Sequence, residues 1–230
     1  TASNKTVDLV DDVRPASITF NNSAGNDYTV GGVGSIGGGT GITKLGTGTA
    51  TISTTNNDFD GEVAVNEGTL HVASANALGS TVGGTTVASG ATLDVGGADL
   101  GDEVVTASGA GAGGKGAITS STAPPGSFRN LRYLTLTGDT TFGADEGARW
   151  DIRSLDEDTP GTLTGGGHAL TKEGAGTVSL SDIGDPDLGD ITINNGGLVT
   201  QFSSTLGRPG SVTINAGGEL AFFSNDPERP

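Results

Sequence analysis

Residues 42–53 read ITKLGTGTATIS, and residues 170–181 read LTKEGAGTVSLS, 128 positions later. The match extends on both sides of these segments, and after one deletion it continues at an offset of 127. Self-similarity over such a distance indicates a repeat protein. The chain therefore contains two divergent copies of one long unit, with repeat positions Gly46/Gly174, Gly48/Gly176, Asn66/Asn194, Gly68/Gly196 and Leu70/Leu198.

A shorter period lies inside each copy. Alternating apolar pairs recur at Ala50/Ile52, Leu70/Val72 and Leu93/Val95, spaced 20 and then 23 positions apart. Alternation with a period of two indicates strands with one buried side. A step of about 20–23 residues predicts the coil of an all-β, single-stranded, right-handed parallel β-helix, a β-solenoid. We expect residues 1–230 to form one continuous solenoid of two repeats, approximately 1–103 and 128–230, joined by a Gly-rich segment at 104–127.

The composition agrees with a thin, elongated core. The chain has 42 Gly, one Trp and no Cys or Met, too few large side chains for a thick globular interior. A formal charge of −16 would repel phosphate backbones and anionic membranes, so nucleic acid is not expected as a partner. No apolar run approaches the roughly 18 residues that span a bilayer, so we expect no membrane span in this segment.

The run LTKEGAGTVSLS with ITINNGGLV (191–199), and ITKLGTGTATIS with GEVAVNEGTLHV (61–72), resemble the autotransporter-associated β-strand repeat. The resemblance covers most of the chain and is weakest at 100–127. It implies an exported right-handed parallel β-helix on the bacterial outer surface, with roles in adhesion, aggregation or passive spacing, and only some members of the family carry a grafted enzyme or toxin. Gly46, Gly48, Gly174 and Gly176 would then occupy tight turns, and Asn66 and Asn194 would lie at corners where Asn tolerates a left-handed backbone.

One turn copies the spacing of a calcium loop. Asn56, Asp58, Asp60, Gly61 and Glu67 fall at positions 1, 3, 5, 6 and 12. An EF-hand needs flanking helices, whereas strands are expected on both sides here, and the second copy lacks the acidic residues. An Asn/Asp-rich turn is therefore the simpler interpretation. Calcium at Asn56, Asp58, Asp60 and Glu67 is retained as a weak hypothesis, and no other cofactor is expected.

The charged segment RWDIRSLDED (149–158) suggests an alternative function, because β-helices also host enzymes that cleave polysaccharides. In that interpretation Trp150 would line a groove beside the charged residues Arg149, Asp151, Arg153, Asp156 and Asp158. In the simpler interpretation Trp150 and Ile152 face inward, and the charged residues form an outer ladder. His71 is expected to point outward and His168 to lie in a turn, so neither forms a convincing nucleophilic site.

These observations favour a non-catalytic extracellular structural or adhesive solenoid. A solenoid without end caps exposes strand edges, so we expect stacking of copies end to end or continuation into neighbouring repeats. Surface glycans or another cell surface are further candidate partners. The alternative is a carbohydrate-binding or polysaccharide-cleaving β-helix module. Regular Thr-x-Thr rows across successive coils are not expected, because Glu62, His71 and Asp94 interrupt them.

Overall fold

The computed structural model describes residues 5–122, 129–154 and 159–223. The strands of this part of the chain pair in parallel and stack into a β-solenoid of about nine turns, which confirms the predicted all-β solenoid fold. Because neighbouring strands lie about 4.8 Å apart, nine turns give a rod about 40 Å long. The one short helical element among these residues is a 3₁₀ turn at Ala112–Gly114.

The strands form three stacks along the rod. The first stack contains β2 (Ile18–Asn21), β4 (Ile42–Leu45), β6 (Val63–Val65), β8 (Thr85–Val87), β10 (Val104–Gly109), the first half of β12 (Tyr133–Gly143) and β14 (Thr162–Thr164). The second contains β1 (Lys5–Leu9), β3 (Tyr28–Gly32), β5 (Thr49–Ile52), β7 (Gly68–Val72), β9 (Ala91–Asp94), β11 (Ile118–Thr119), the second half of β12, β15 (Leu170–Glu173), β17 (Ile191–Ile193) and β19 (Val212–Ile214). The third contains β13 (Arg149–Arg153), β16 (Thr177–Ser181), β18 (Gly196–Gln201) and β20 (Gly218–Phe223).

The third stack continues toward the N-terminus through turns. Leu131 bridges to Ile152, and Val13 bridges to Ile36. Between these bridges the Asp58 amide donates to the Ile36 carbonyl at 3.0 Å, and the Ser80 amide donates to the Phe59 carbonyl at 2.9 Å. The backbone is therefore hydrogen-bonded along this side even where few residues have strand geometry.

The core consists of inward side chains stacked coil on coil. In the second stack the registered positions are Ala50, Leu70, Leu93, Ile118 and Phe142, all fully buried. Phe142 also contacts Trp150 edge-on, with ring centroids 5.1 Å apart. Each coil adds only a thin layer of Val, Leu and Ile, which explains how a chain so poor in aromatic residues forms a continuous core.

Coil length varies along the rod. Registered partners are 20 to 25 positions apart through most of the chain, close to the predicted step. In the middle, the steps from β10 to β12, from β12 to β14 and β15, and from β13 to β16 are longer, at 28 to 31 positions. The strands keep their stacking across these longer coils, so the additional residues lie in the connections.

The two copies occupy different stacks. β4, from the first copy, belongs to the first stack, whereas its counterpart β15 belongs to the second. Likewise β5 belongs to the second stack and its counterpart β16 to the third. The offset of 128 positions therefore corresponds to five coils plus one further strand position, and the second copy is rotated by one stack about the rod axis.

Candidate functional site

The predicted calcium residues lie at two separate corners. Asp58 and Asp60 belong to the turn in the third stack, where the Asp60 carboxylate accepts a hydrogen bond from Ser80 Oγ at 2.7 Å. Glu67 lies in the turn between β6 and β7, and its carboxylate accepts the Gly46 amide at 3.0 Å. Asn56 has a left-handed φ of 60° and is exposed. The described residues contain no group of three or more His, Asp or Glu side chains able to hold a metal ion.

Two lysines of the repeat motif are fully buried at corners of the solenoid; we call Lys44 and Lys172 the corner lysines. Lys44 Nζ donates to the carbonyls of Leu45, Gly46 and Glu67 at 2.8, 2.6 and 3.2 Å. Lys172 Nζ donates to the equivalent carbonyls of Glu173, Gly174 and Asn195 at 2.7, 2.8 and 3.1 Å. One ammonium thus joins the turn of its own coil to the turn of the next coil, in the same way in both copies.

Burial lowers the pKa of both corner lysines, and that of Lys172 falls to about 8. Nearby carboxylates oppose the shift, Glu67 and Asp27 for Lys44 and Glu173 for Lys172. An ammonium has three N–H donors for three carbonyls, whereas a neutral amine has only two. Each corner lysine therefore joins adjacent coils through three carbonyl groups, and with a pKa of about 8 Lys172 is mainly an ammonium at neutral pH.

Repeat glycines and asparagines surround each corner lysine. Gly174 has φ +77°, and a Cβ there would lie 2.2 Å from the Ala144 carbonyl oxygen. Gly68 has φ +68°, and a Cβ there would lie 2.9 Å from Lys44 Nζ. Asn66 and Asn194 donate their backbone amides to the carbonyls of Lys44 and Lys172 at 3.0 and 2.9 Å, while the left-handed backbone expected of them occurs instead at Gly68 and Gly196. The other repeat positions serve the same corner or the core: Gly46 is left-handed, Gly48 and Gly176 closely approach the preceding coil, and Leu70 and Leu198 are fully buried.

The charged segment at Arg149–Arg153 forms an ion network rather than a groove. Trp150 is fully buried and donates its Nε1 hydrogen to the Gly143 carbonyl at 2.7 Å, so its ring has no surface available to a sugar. Asp151 is also fully buried, which differs from the expected exposed ladder, and Arg149 binds it through Nε and Nη2 at 2.7 and 2.9 Å. Burial raises the pKa of Asp151, and the arginines Arg149 and Arg153 oppose the rise. Asp156 and Asp158 lie outside the described residues.

His71 belongs to a three-residue cluster with Asp94 and Ser121. Its Nδ1 lies 2.9 Å from Asp94 Oδ2, and Ser121 donates its Oγ hydrogen to the same oxygen at 2.5 Å. Burial favours the neutral acid, but the hydrogen bonds from His71 and Ser121 outweigh it and lower the pKa of Asp94. In a catalytic triad the histidine lies between the serine and the carboxylate. Here the carboxylate is central, so the cluster clamps three successive coils and does not activate the serine.

A cleft of about 530 Å³ opens between the turns that connect the first and third stacks. Its lining includes Asn76, Asp99, Asp102, Glu103 and Arg132. The first-stack register explains two of these residues. Two positions before the paired residues Val63, Thr85, Val105, Leu134 and Leu163, the chain has Gly61, Gly83, Glu103, Arg132 and Gly161. Two successive coils therefore have Glu103 and Arg132 at a position where the coils before and after them have glycine.

Two of the four ionisable residues of the cleft, Glu103 and Arg132, are nearly inaccessible. Glu103 is 3% exposed and accepts a hydrogen bond from Thr85 Oγ1 at 2.6 Å. Its pKa is raised by burial, and the bond from Thr85 opposes the rise. Arg132 is 6% exposed and forms an ion pair through Nη1 with the exposed Asp102, while its buried Nε has no hydrogen-bond partner within the described ranges. The sequence analysis did not predict a site at Glu103 and Arg132, because the segment that begins at residue 100 matched the repeat least well.

A column consisting mainly of threonine runs along the second stack, at positions that alternate with the core residues. Its members are in register at Thr49, Thr69, Thr92, Ala117, Thr141, Thr171, Thr192 and Thr213, and Thr92, Ala117 and Thr141 are buried. The adjacent column is interrupted at His71 and Asp94, so the paired Thr-x-Thr array is absent, as expected. Stacked β-branched residues stabilise neighbouring strands, which accounts for a single column.

The two end coils expose apolar surface. At the N-terminal end, a depression of about 240 Å³ is lined entirely by apolar residues: Val7, Leu9, Val13, Pro15, Ile18, Phe20, Val30 and Ile36. At the other end Phe222 and Phe223 are 66% and 59% exposed. Among the described strands, β1 and β2 at one end and β19 and β20 at the other each pair on one edge only. Both ends therefore combine unpaired backbone groups with exposed hydrophobic side chains.

Comparisons with known proteins give no relative on which to base a function. No protein-family model, no curated protein and no solved structure matches the chain. Within the described residues, no helix has the length and apolar character needed to cross a membrane. Fold and site geometry are therefore the basis for assigning a function.

Proposed function

We propose that the protein is a non-catalytic, extracellular structural or adhesive β-solenoid, a segment of a bacterial surface rod or fibre whose end coils receive further coils. The parallel nine-turn fold and the resemblance to autotransporter-associated repeats support this function. A rod of this kind acts through its length, stiffness and outer surface. The acidic composition is suited to an exported protein that must stay soluble at high local density.

The open end coils carry the proposal. A parallel strand that pairs on one edge has a row of free N–H and C=O groups, which a further coil would satisfy. The apolar depression at the N-terminal end and the exposed Phe222 and Phe223 at the other end are unlike surfaces that can complement each other. Contact between unlike ends is head-to-tail, so it propagates into a filament instead of closing into a dimer.

Electrostatic repulsion sets the condition for stacking. Two copies that each carry a formal charge of −16 repel one another, while the apolar ends attract. The Debye length shortens from about 14 Å at 0.05 M salt to about 4 Å at 0.5 M. Association of separate copies should therefore increase with salt, whereas neighbouring repeats of one polypeptide would stack without that requirement.

Light scattering after size-exclusion chromatography, with electron microscopy of the same fractions, tests the proposal. We expect rods that lengthen in steps of about 40 Å as salt rises from 0.05 to 0.5 M. The double variant Phe222→Asp/Phe223→Asp should remain monomeric at both salts. Val82→Asp is the matched control, because Val82 is 76% exposed on the side of the rod and should leave stacking unchanged. Dispersed monomers of the wild type at 0.5 M salt and high concentration would refute stacking of copies.

A further inference from the structure

We infer that the cleft lined by Asp99, Asp102, Glu103 and Arg132 binds a neutral saccharide through its hydroxyl groups. The cleft is separate from the rod ends, and its occupancy does not depend on stacking. Its volume of about 530 Å³ lies within the range of about 300–1,000 Å³ that is usual for small-molecule sites. A sugar of one or two residues is the size of ligand that such a space admits.

Two residues that line the cleft, Glu103 and Arg132, are unusual for a solenoid corner. A solenoid corner needs small residues where successive coils approach, and Gly61, Gly83 and Gly161 meet that need. Glu103 and Arg132 replace glycine at the two intervening positions and are at least 94% buried. Burying two ionisable side chains is costly for folding. Strand pairing does not require the burial of Glu103 and Arg132, so we attribute it to ligand binding.

Among the described residues, Arg132 has a buried donor that is not satisfied. Buried polar atoms in folded proteins nearly always have a hydrogen-bond partner. Arg132 is one of the residues that line this cleft, and its buried Nε has no partner in the described part of the chain, although Nη1 of the same side chain pairs with Asp102. A ligand that placed an oxygen acceptor against Nε would satisfy it.

The cleft has both acceptors and a donor for a ligand. Asp99 and Asp102 are exposed at the mouth and supply acceptors, while Arg132 Nε supplies a donor. An anionic ligand would be repelled by the two carboxylates and by the charge of the whole chain. A simple cation would be attracted but could not accept a hydrogen bond from Arg132. A hydroxyl group both donates and accepts, so a polyhydroxylated neutral molecule satisfies both requirements.

The acidic residues of the cleft differ in exposure, so they differ in how they can contact a sugar. Asp102 is 57% exposed in its side chain, so it can exchange part of its contact with Arg132 for a sugar hydroxyl. Asp99 accepts the Gly101 amide at 3.0 Å through one oxygen, Oδ1. Glu103 is 3% exposed, burial raises its pKa, and its carboxyl group already accepts the Thr85 hydroxyl.

Two-dimensional ¹H–¹⁵N NMR on the intact chain tests the site, with cellobiose, maltose and N,N′-diacetylchitobiose as probes at millimolar concentration. Arg132 Nε–H gives its own resonance, which Arg132→Lys identifies by its loss. We expect at least one of the three sugars to shift that resonance and the Gly79 and Gly101 amides in a saturable way. Asp99→Asn and Asp102→Asn, which keep side-chain shape at the exposed mouth, should each weaken binding at least tenfold. Glu146→Gln removes one exposed carboxylate away from the cleft and should leave the affinity unchanged.

Two results would overturn the inference. One is that none of the three sugars shifts the cleft resonances, while the wild-type spectrum shows a folded protein. The other is that a sugar binds but Asp99→Asn and Asp102→Asn bind it as tightly as Glu146→Gln does, which would place binding elsewhere. Because the spectra are recorded on monomer at low salt, neither result bears on end-to-end stacking.

Discussion

Replacement of Lys172 by Met removes the charged tie at one corner while nearly keeping its volume. The change leaves the carbonyls of Glu173, Gly174 and Asn195 without their shared donor inside the solenoid. A net contribution of about 1 kcal/mol for each hydrogen bond gives a loss of about 3 kcal/mol in the free energy of unfolding at pH 7. Lys115→Met, at an exposed lysine, should change that free energy by less than about 0.5 kcal/mol.

The pH dependence of the same variant tests the charge of the tie. The pKa of Lys172 falls from 10.5 to about 8 in the folded protein, so the unfolded chain binds more protons between these values. Stability linked to Lys172 should therefore rise as pH increases from about 8 to about 10.5, by about 1 kcal/mol per pH unit at most, and should be flat below that window. The difference between wild type and Lys172→Met isolates this contribution, because other groups titrate in both proteins.

Urea unfolding followed by fluorescence supplies the measurement. Trp150, the one Trp in the sequence, is fully buried against Phe142, and Phe142 is the register partner of Lys172. Its emission therefore reports on the coil that the substitution affects. If the free energy of unfolding of Lys172→Met at pH 7 is within about 0.5 kcal/mol of the wild-type value, the hydrogen bonds of Lys172 do not stabilise the fold as we expect. If the free energies of unfolding of the two proteins change in parallel between pH 7.5 and 9.5, Lys172 does not titrate with a lowered pKa in the folded protein.

The remaining predictions concern a corner glycine, the Asp94 clamp and the calcium turn. Gly174→Ala should destabilise the protein by well over 1 kcal/mol in urea unfolding, whereas Gly147→Ala, with a similar φ of 76° but open space around the new Cβ, should cost only about 1 kcal/mol. Folding lowers the pKa of Asp94 from its usual 3.8, so the stability that the Asp94 carboxylate contributes is lost as the pH falls through the folded value. Asp94→Asn should therefore lose less stability than the wild type on acidification below pH 3.8. Thermal melts at pH 2.5–6 measure this difference. Calorimetry with millimolar calcium should show no saturable heat, because Glu67 lies at a different corner from Asp58 and Asp60; heat that disappears in Asp58→Ala/Asp60→Ala would instead establish the calcium site.

The fold could be predicted from sequence because one coil repeats the same local chemistry. Alternating Val, Leu and Ile residues mark strands, Gly marks the corners, and the regular step between like strands joins them into a solenoid. The register then follows from stacking like residues, as at Leu70 on Leu93. Differences in coil length could not be predicted, because additional residues in connections leave the strand pattern unchanged.

The chemistry of individual side chains was harder to predict. Alternation places Lys44 on the same side of its strand as Ile42, which was the available signal for an inward lysine. Its partners are carbonyl groups of turns, however, and these have no signature in the side-chain sequence. The calcium spacing stays a hypothesis: a loop between helices brings positions 1 and 12 together, whereas here Asp58 and Glu67 lie in different turns of the solenoid. Glu103 and Arg132 come to equivalent positions of adjacent coils only through one of the long coils, so their placement in one cleft could be seen only from the register.

The rotation of the second copy by one stack has a consequence for surface display. A solenoid coil has three equivalent sides as far as backbone pairing is concerned, so duplication can add whole strand-and-turn steps without completing a circuit. In an array built from such units, any patch carried by one unit would reappear on the next side of the rod and return to its starting side only with every third unit. Copies of one motif would thus wind around the rod as a helix with three units per turn, facing partners in every direction from a single sequence.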